Sequence, residues 1–229
     1  MNDDALFDAV ASLIGSGEYL DQVPGSVATD EQGSGWLHPR SASQVRRLYQ
    51  RGTPDYDAAR AAGLLERLPT LEPASPENVR DAEAELGYPL PALLRRMFLE
   101  LANGGFGPGY GILGLRCGHT DDMGKTAIDL VSADHLQAVN AALLPLCHWG
   151  CAIYSLVDCA SDDQQMWAFD PNPAPEGVNP LVPLDDSLDA WLGRWVAAKL
   201  TQPALVLDPV TEIWRGATVE ETQRLLDEE

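Results

Sequence analysis

Lysine is nearly missing from this chain. Two lysines stand against 13 arginines in 229 residues, and 15 bases face 35 acids, for a net charge of −20. Phosphate backbones are bound by neutralising Lys and Arg, so direct nucleic-acid binding is not expected. Long apolar runs are also missing. Nothing approaches the ~18–20 consecutive apolar residues of a membrane-spanning helix, so no membrane partner is expected. The opening MNDDALFDAVASLIGSG carries aspartates where a secretory signal carries a basic start and a cleavable apolar run. The expectation is a cytoplasmic chain whose four cysteines are reduced thiols. Frequent arginine and alanine point to a GC-rich bacterial genome.

Recognisable catalytic patterns are scarce as well. No Gly-x-Ser-x-Gly elbow occurs. The glycines Gly104, Gly105, Gly107, Gly109 and Gly111 follow a predicted helix and precede a predicted strand. A phosphate loop has the opposite order, so that a helix N-terminus faces the anion. Cys147-x3-Cys151 is one marginal zinc pair; the second pair that structural zinc requires is missing unless His148 or His119 folds in. Cys147 and His148 are neighbours on a predicted strand and point to opposite faces, so they do not form a nucleophile–base pair. No catalytic residue, metal ligand or cofactor is therefore assigned, and the chain is not expected to be an enzyme.

What is present is acid and periodic structure. Residues 161–229 hold 14 acids and 4 bases, half of the net excess. Such a surface steers basic protein partners, or serves solubility alone. The pairs Asp121-Asp122, Asp162-Asp163 and Asp185-Asp186 fall in predicted loops or at a helix start. They read as turn and cap residues, as acid–base or hard-cation groups, or as exposed acids that pair with a partner's arginines and lysines.

Helical spacing covers 3–14, with glycines after it. Ser41 or Ser43 is expected to cap a helix to about Arg51, and Asp55 another to Leu68. Pro69, Pro73 and Pro76 mark a boundary. Ser75-Pro76-Glu77 starts a helix. Leu93, Leu94, Met97, Phe98 and Leu101 face a core in the next one, and Asn103-Gly104-Gly105 ends it with residues that tolerate positive φ. Tyr110–Leu115 reads as a strand, and Ser132–Leu144 as a helix. Strands are expected at 143–149, 152–158 and 165–169, the last two forming an antiparallel meander. A proline-rich loop follows at 171–183. The helix 187–200 turns Trp191 and Trp195 inward; Trp149 and Trp167 are expected to be half-buried. The tail offers a strand at ALVLD and a helix from Thr218, with Glu221 at capping-box spacing. This order is α+β.

Leu86-Gly87-Tyr88-Pro89-Leu90-Pro91, then Phe98 and Asn103-Gly104-Gly105-Phe106-Gly107, then Gly111-Ile112-Leu113, resemble the N-terminal signature of the SUKH superfamily. These are the relatives of the fungal cell-wall-synthesis regulator and of many bacterial immunity proteins. Leu144-Pro145-Leu146, Trp149-Gly150, Tyr154 and Asp158 look like its strand pair, and Ser187–Trp195 like its closing helix. The resemblance covers about 72–200. It implies a mixed, mostly antiparallel sheet partly wrapped by helices, and no enzymatic activity. Gly87, Pro89, Pro91, Asn103, Gly104, Gly105, Gly107 and Gly111 are implied to be structural. The expected organisation is a helical extension at 1–70, the α+β domain at 71–200 and an acidic tail at 201–229. The expected role is neutralisation of a cognate basic, nuclease-type toxin by a monomer or small homo-oligomer; a regulatory or scaffolding role is the alternative. The contact acids singled out are Asp121, Asp122, Asp162, Asp163 and Asp170.

Overall fold

A computed structural model describes residues 2–27, 38–39, 45–132, 141–173, 179–218, 221, 222 and 224. Its centre is a four-stranded antiparallel sheet in the order β4 (Leu143–Gly150), β5 (Ile153–Asp158), β6 (Gln165–Phe169) and β7 (Leu181–Ser187). Side chains alternate between its faces, as the strand period requires. Leu144, Leu146, Val157 and Met166 join the large core. Leu143, Leu156, Phe169 and Leu181 form a smaller cluster. All named strand pairs are antiparallel, and one isolated bridge, Leu20 to Gly107, is parallel.

Helices cover the large-core face. Ser75 caps α3 (Pro76–Leu86) by accepting from the Asn78 N–H at 3.1 Å, and Gly87 ends it in the left-handed conformation. The Tyr88-to-Pro91 turn leads to α4 (Ala92–Glu100), with Pro91 at its N-cap. Leu93, Leu94, Met97 and Phe98 are buried along its inner face, as the spacing predicts. The last helix of the domain, here α6 (Leu188–Val196), buries Trp191 and Trp195. Each side chain of that size contributes roughly 2–3 kcal/mol by leaving water. A short α5 (Ala127–Val131) carries a full capping box between Thr126 and Asp129.

The first 70 residues are not a purely helical extension. Helix α1 (Asp3–Ser16) is followed by a three-stranded antiparallel sheet of order β1-β3-β2, then by α2 (Pro54–Ala61). The helix expected to reach Arg51 is strand β3 (Val45–Gln50), paired with β1 (Gln22–Ser26) through Val23–Tyr49. Tyr49 is buried while its neighbour Leu48 is exposed, the alternation of a strand, and pairing overrides local helix preference. Strand β2 is His38–Pro39. Thr53, not Asp55, caps α2, and the helix stops before Gly63 rather than at Leu68. Leu6, Phe7 and Val10 of α1 lie in the same core as Leu94 and Trp195, while Val23, Tyr49, Tyr56 and Ala59 form a small cluster of their own.

Further differences concern loops. The segment 110–115 is not a regular strand. It lies antiparallel to β4 through Tyr110 N–H to the His148 carbonyl, Leu113 N–H to the Leu146 carbonyl and an Ile112–Cys147 bridge. Its flanking glycines fold it into a tight loop instead, closed by Gly105 N–H donating to the Ile112 carbonyl at 2.8 Å. The proline-rich loop is shorter than expected, because Leu181–Pro183 already pairs with β6. Leu205–Leu207 is strand β8, and it pairs with an unforeseen β9 (Trp214–Gly216). The helix expected over Ser132–Leu144 falls largely outside the described residues; its last two positions belong to β4. Thr218 and Glu221 make the reciprocal bonds of a capping box.

Candidate functional site

Three segments build one compact surface: the glycine-rich loop around Tyr110, the turn at 121–126, and the β4–β5 hairpin. The loop is held from within by Asn103. Its Oδ1 accepts from the Leu115 N–H at 2.8 Å and its amide donates to the Arg116 carbonyl at 3.2 Å. Gly104 and Gly114 are needed there. A Cβ on Gly104 would stand 2.5 Å from the Ile112 carbonyl oxygen, and one on Gly114 would stand 2.4 Å from the Asn103 carbonyl oxygen. Of the other signature residues, Gly87 and Pro91 terminate and start helices, Pro89 lies between them, and Gly105, Gly107 and Gly111 line the loop. They shape the scaffold that presents Tyr110.

Tyr110, at the start of the segment that reads as a strand, is 52% exposed. Its ring stands edge-on to His148 at 5.5 Å, and His148 stacks on Tyr154 at 4.7 Å. The Tyr154 hydroxyl donates to Asp121 Oδ2 at 2.9 Å. Asp121 Oδ1 accepts from the Met123 and Lys125 N–H groups at 2.9 and 2.8 Å. Burial, and then the bonded Asp121 carboxylate, push the Tyr154 phenol well above its ordinary pKa. Asp122 next door is exposed, with Oδ1 3.6 Å from His148 Nδ1. That nitrogen has no hydrogen-bond partner, and His148 is 1% exposed. Met123, also exposed, completes the rim.

The five acids singled out from sequence do not form one exposed face. Asp121 and Asp170 are buried; Asp121 holds its turn, and Asp170 accepts from the Asn172 backbone and side chain. By strand register Asp170 lies beyond Phe169, opposite the start of β5. Asp162 and Asp163 are exposed in the β5–β6 turn, at the far end of strands some 20 Å long. Asp122 is the exposed acid of the Tyr110 surface. Asp186 is engaged by the guanidinium of Arg194, while Asp185 is exposed.

The thiols are separated as well. Cys147 is fully buried, with its thiol 3.2 Å from the Pro108 carbonyl, and burial pushes its pKa well up. Burial likewise pushes Cys159 up to about 12. Cys117 and Cys151 are exposed. His119 bonds the Tyr110 carbonyl through Nε2 at 2.8 Å. Among the described residues, no group of three or more His, Cys, Asp or Glu is placed to hold a metal, and no helix is long and apolar enough to cross a membrane.

A cleft, invisible in the sequence, lies in the N-terminal part. It measures about 600 Å³ and lies between the end of α1, α2 and residues 65–71, lined by Tyr19, Tyr56 and Leu65 and crossed by an Arg60–Glu18 ion pair at 2.5 Å.

Helices packed on antiparallel sheets define an α+β domain. A family model described as the SMI1 / KNR4 family (SUKH-1) matches residues 73–194, more than half of the chain, and the chain belongs to this family. No curated protein and no solved structure matches it.

Proposed function

We propose that this chain is a cytoplasmic, non-enzymatic binding protein that neutralises a cognate basic toxin, of nuclease type, by direct contact. The carrying observation is a net charge of −20 on a SUKH scaffold. Exposed acids in the turns at Asp122, Asp162 and Asp163 would raise the encounter rate of a cationic partner and disfavour anionic ones. Occlusion would do the rest: a bound acidic domain denies a nuclease its polyanionic substrate.

Co-expression with the toxins encoded beside the gene tests this. Protection of the host and a stable complex whose affinity falls with ionic strength are expected. If no neighbouring toxin is neutralised or captured, the immunity reading fails.

The N-terminal cleft favours a second reading, a regulatory scaffold with two contact surfaces. Deleting residues 1–70 would strip Leu6, Phe7 and Val10 from the shared core, so a point change discriminates better. Arg60→Glu puts like charges across the cleft. A pure immunity protein keeps its toxin, whereas a two-surface scaffold loses a partner in pull-down.

A further inference from the structure

We infer that Tyr110, Asp122 and His148 form an anchor for an arginine side chain of a basic protein partner; this rests on the reading of the chain as a binder of basic proteins. The three groups meet through His148. Its ring lies 5.5 Å from that of Tyr110, and its Nδ1 lies 3.6 Å from the Asp122 carboxylate. Among the described residues, no lysine or arginine of this chain is within ion-pair range of Asp122. The carboxylate is exposed and open to an external cation.

A buried polar nitrogen without a partner is uncommon and costs free energy. Nδ1 of His148 is such an atom, and the group it faces is Asp122. A small inward movement of the carboxylate lets Nδ1–H donate to Oδ1 and leaves Oδ2 outward. The exposed oxygen then has a fixed direction, which is the condition for a charge-assisted bond to a guanidinium. Tyr110 supplies the second element. An exposed aromatic face attracts a stacked guanidinium through the ring quadrupole. Arginine fits this pair better than lysine, because one planar group stacks and bonds in a fork at once.

The anchor is built before any partner arrives. The stack of His148 on Tyr154 and the bond from Tyr154 to Asp121 fix the imidazole plane. The two backbone bonds to Asp121 fix the turn carrying Asp122. Gly150 gives Tyr110 its seat, since a Cβ there would lie 3.2 Å from the phenol oxygen. Aromatic residues presented in this way are typical centres of protein interfaces.

The test uses the full chain and two peptides, acetyl-Gly-Arg-Gly-amide and its citrulline analogue, which keeps the shape and loses the charge. NMR titration follows the Tyr110 and His148 rings and the Asp122 and Met123 amides. Saturable shifts at these groups are expected with arginine. Citrulline, Asp122→Asn and Tyr110→Ala are each expected to weaken binding by roughly fivefold. Both substitutions fall at exposed side chains, and unchanged spectra elsewhere verify folding. Equal response to citrulline, shifts confined to other acids, or variants that bind like wild type would overturn the anchor. Such a result beside intact toxin neutralisation removes the anchor alone. Arginine discrimination in a chain that neutralises no toxin supports the anchor and removes the immunity reading.

Discussion

Replacing Arg51 by alanine is expected to lower stability by about 3–5 kcal/mol, the usual cost of orphaning a buried ion-pair partner. Arg51 and Asp21 are both 7% exposed, and the guanidinium Nη2 donates to Asp21 Oδ1 at 3.2 Å. The same group donates to the carbonyls of Trp195 and Val196, where a cation suits the C-terminal end of helix α6. It also lies 5.4 Å from the centre of the Trp195 ring. Removing it leaves a buried carboxylate, two unmet helix carbonyls and a void beside tryptophan. At roughly 2–4 °C per kcal/mol for a chain of this size, the midpoint should fall by about 6–20 °C in calorimetry or circular dichroism. Arg51→Lys keeps the charge without the fork and should fall between. The double change Arg51→Met, Asp21→Leu should recover much of the loss, because it removes both desolvated charges. A loss under about 1 kcal/mol for Arg51→Ala would refute the claim that this contact ties the N-terminal layer to the domain.

Three further outcomes are expected. Burial holds the Asp21 carboxyl up at about 6 despite Arg51, against an ordinary 3.8. The folded chain therefore keeps a proton that the unfolded chain has lost between about pH 4 and 6, so this contribution is present at low pH and fades as pH rises through that window. Asp21→Asn should flatten that part of the stability profile in urea titrations, and an unchanged slope would count against it. Gly114→Ala forces a methyl to 2.4 Å from the backbone of Asn103 and His119 and should cost at least about 2 kcal/mol; a midpoint within error of wild type would contradict the packing. Timed alkylation read by mass spectrometry should modify Cys117 and Cys151 quickly and Cys147 and Cys159 slowly, since the latter pair is held protonated by burial. Equal rates in the folded chain would contradict this.

Much of the domain was legible because its signals are local. Ser75-Pro76 starts a helix by a side-chain acceptor and a fixed φ, and the α4 stripe from Leu93 to Phe98 follows helical period. The β5 and β6 strands stand out because polar turns bound them. Local signals fail where partners distant in sequence decide. Val45–Gln50 has a local helix preference, and pairing with β1, some twenty residues earlier, overrides it. Tyr110 reads as the start of a strand with Ile112 and Leu113; the glycines on either side of it are the available sign of an irregular backbone and an exposed ring. The acids are visible in the sequence, but their exposure is not. Nothing in the string Asp121-Asp122 says that the first is consumed by Tyr154 and two backbone donors while the second is exposed.

Charge, fold class and family scaffold follow from the sequence alone, since composition, capping and hydrophobic period act within a few residues. Packing in three dimensions selects which acids reach solvent, draws α1 into the main core and brings Tyr110, Asp122 and His148 together. Those outcomes depend on through-space packing, in which a buried arginine, a stacked imidazole and two glycines without Cβ atoms bring distant segments together.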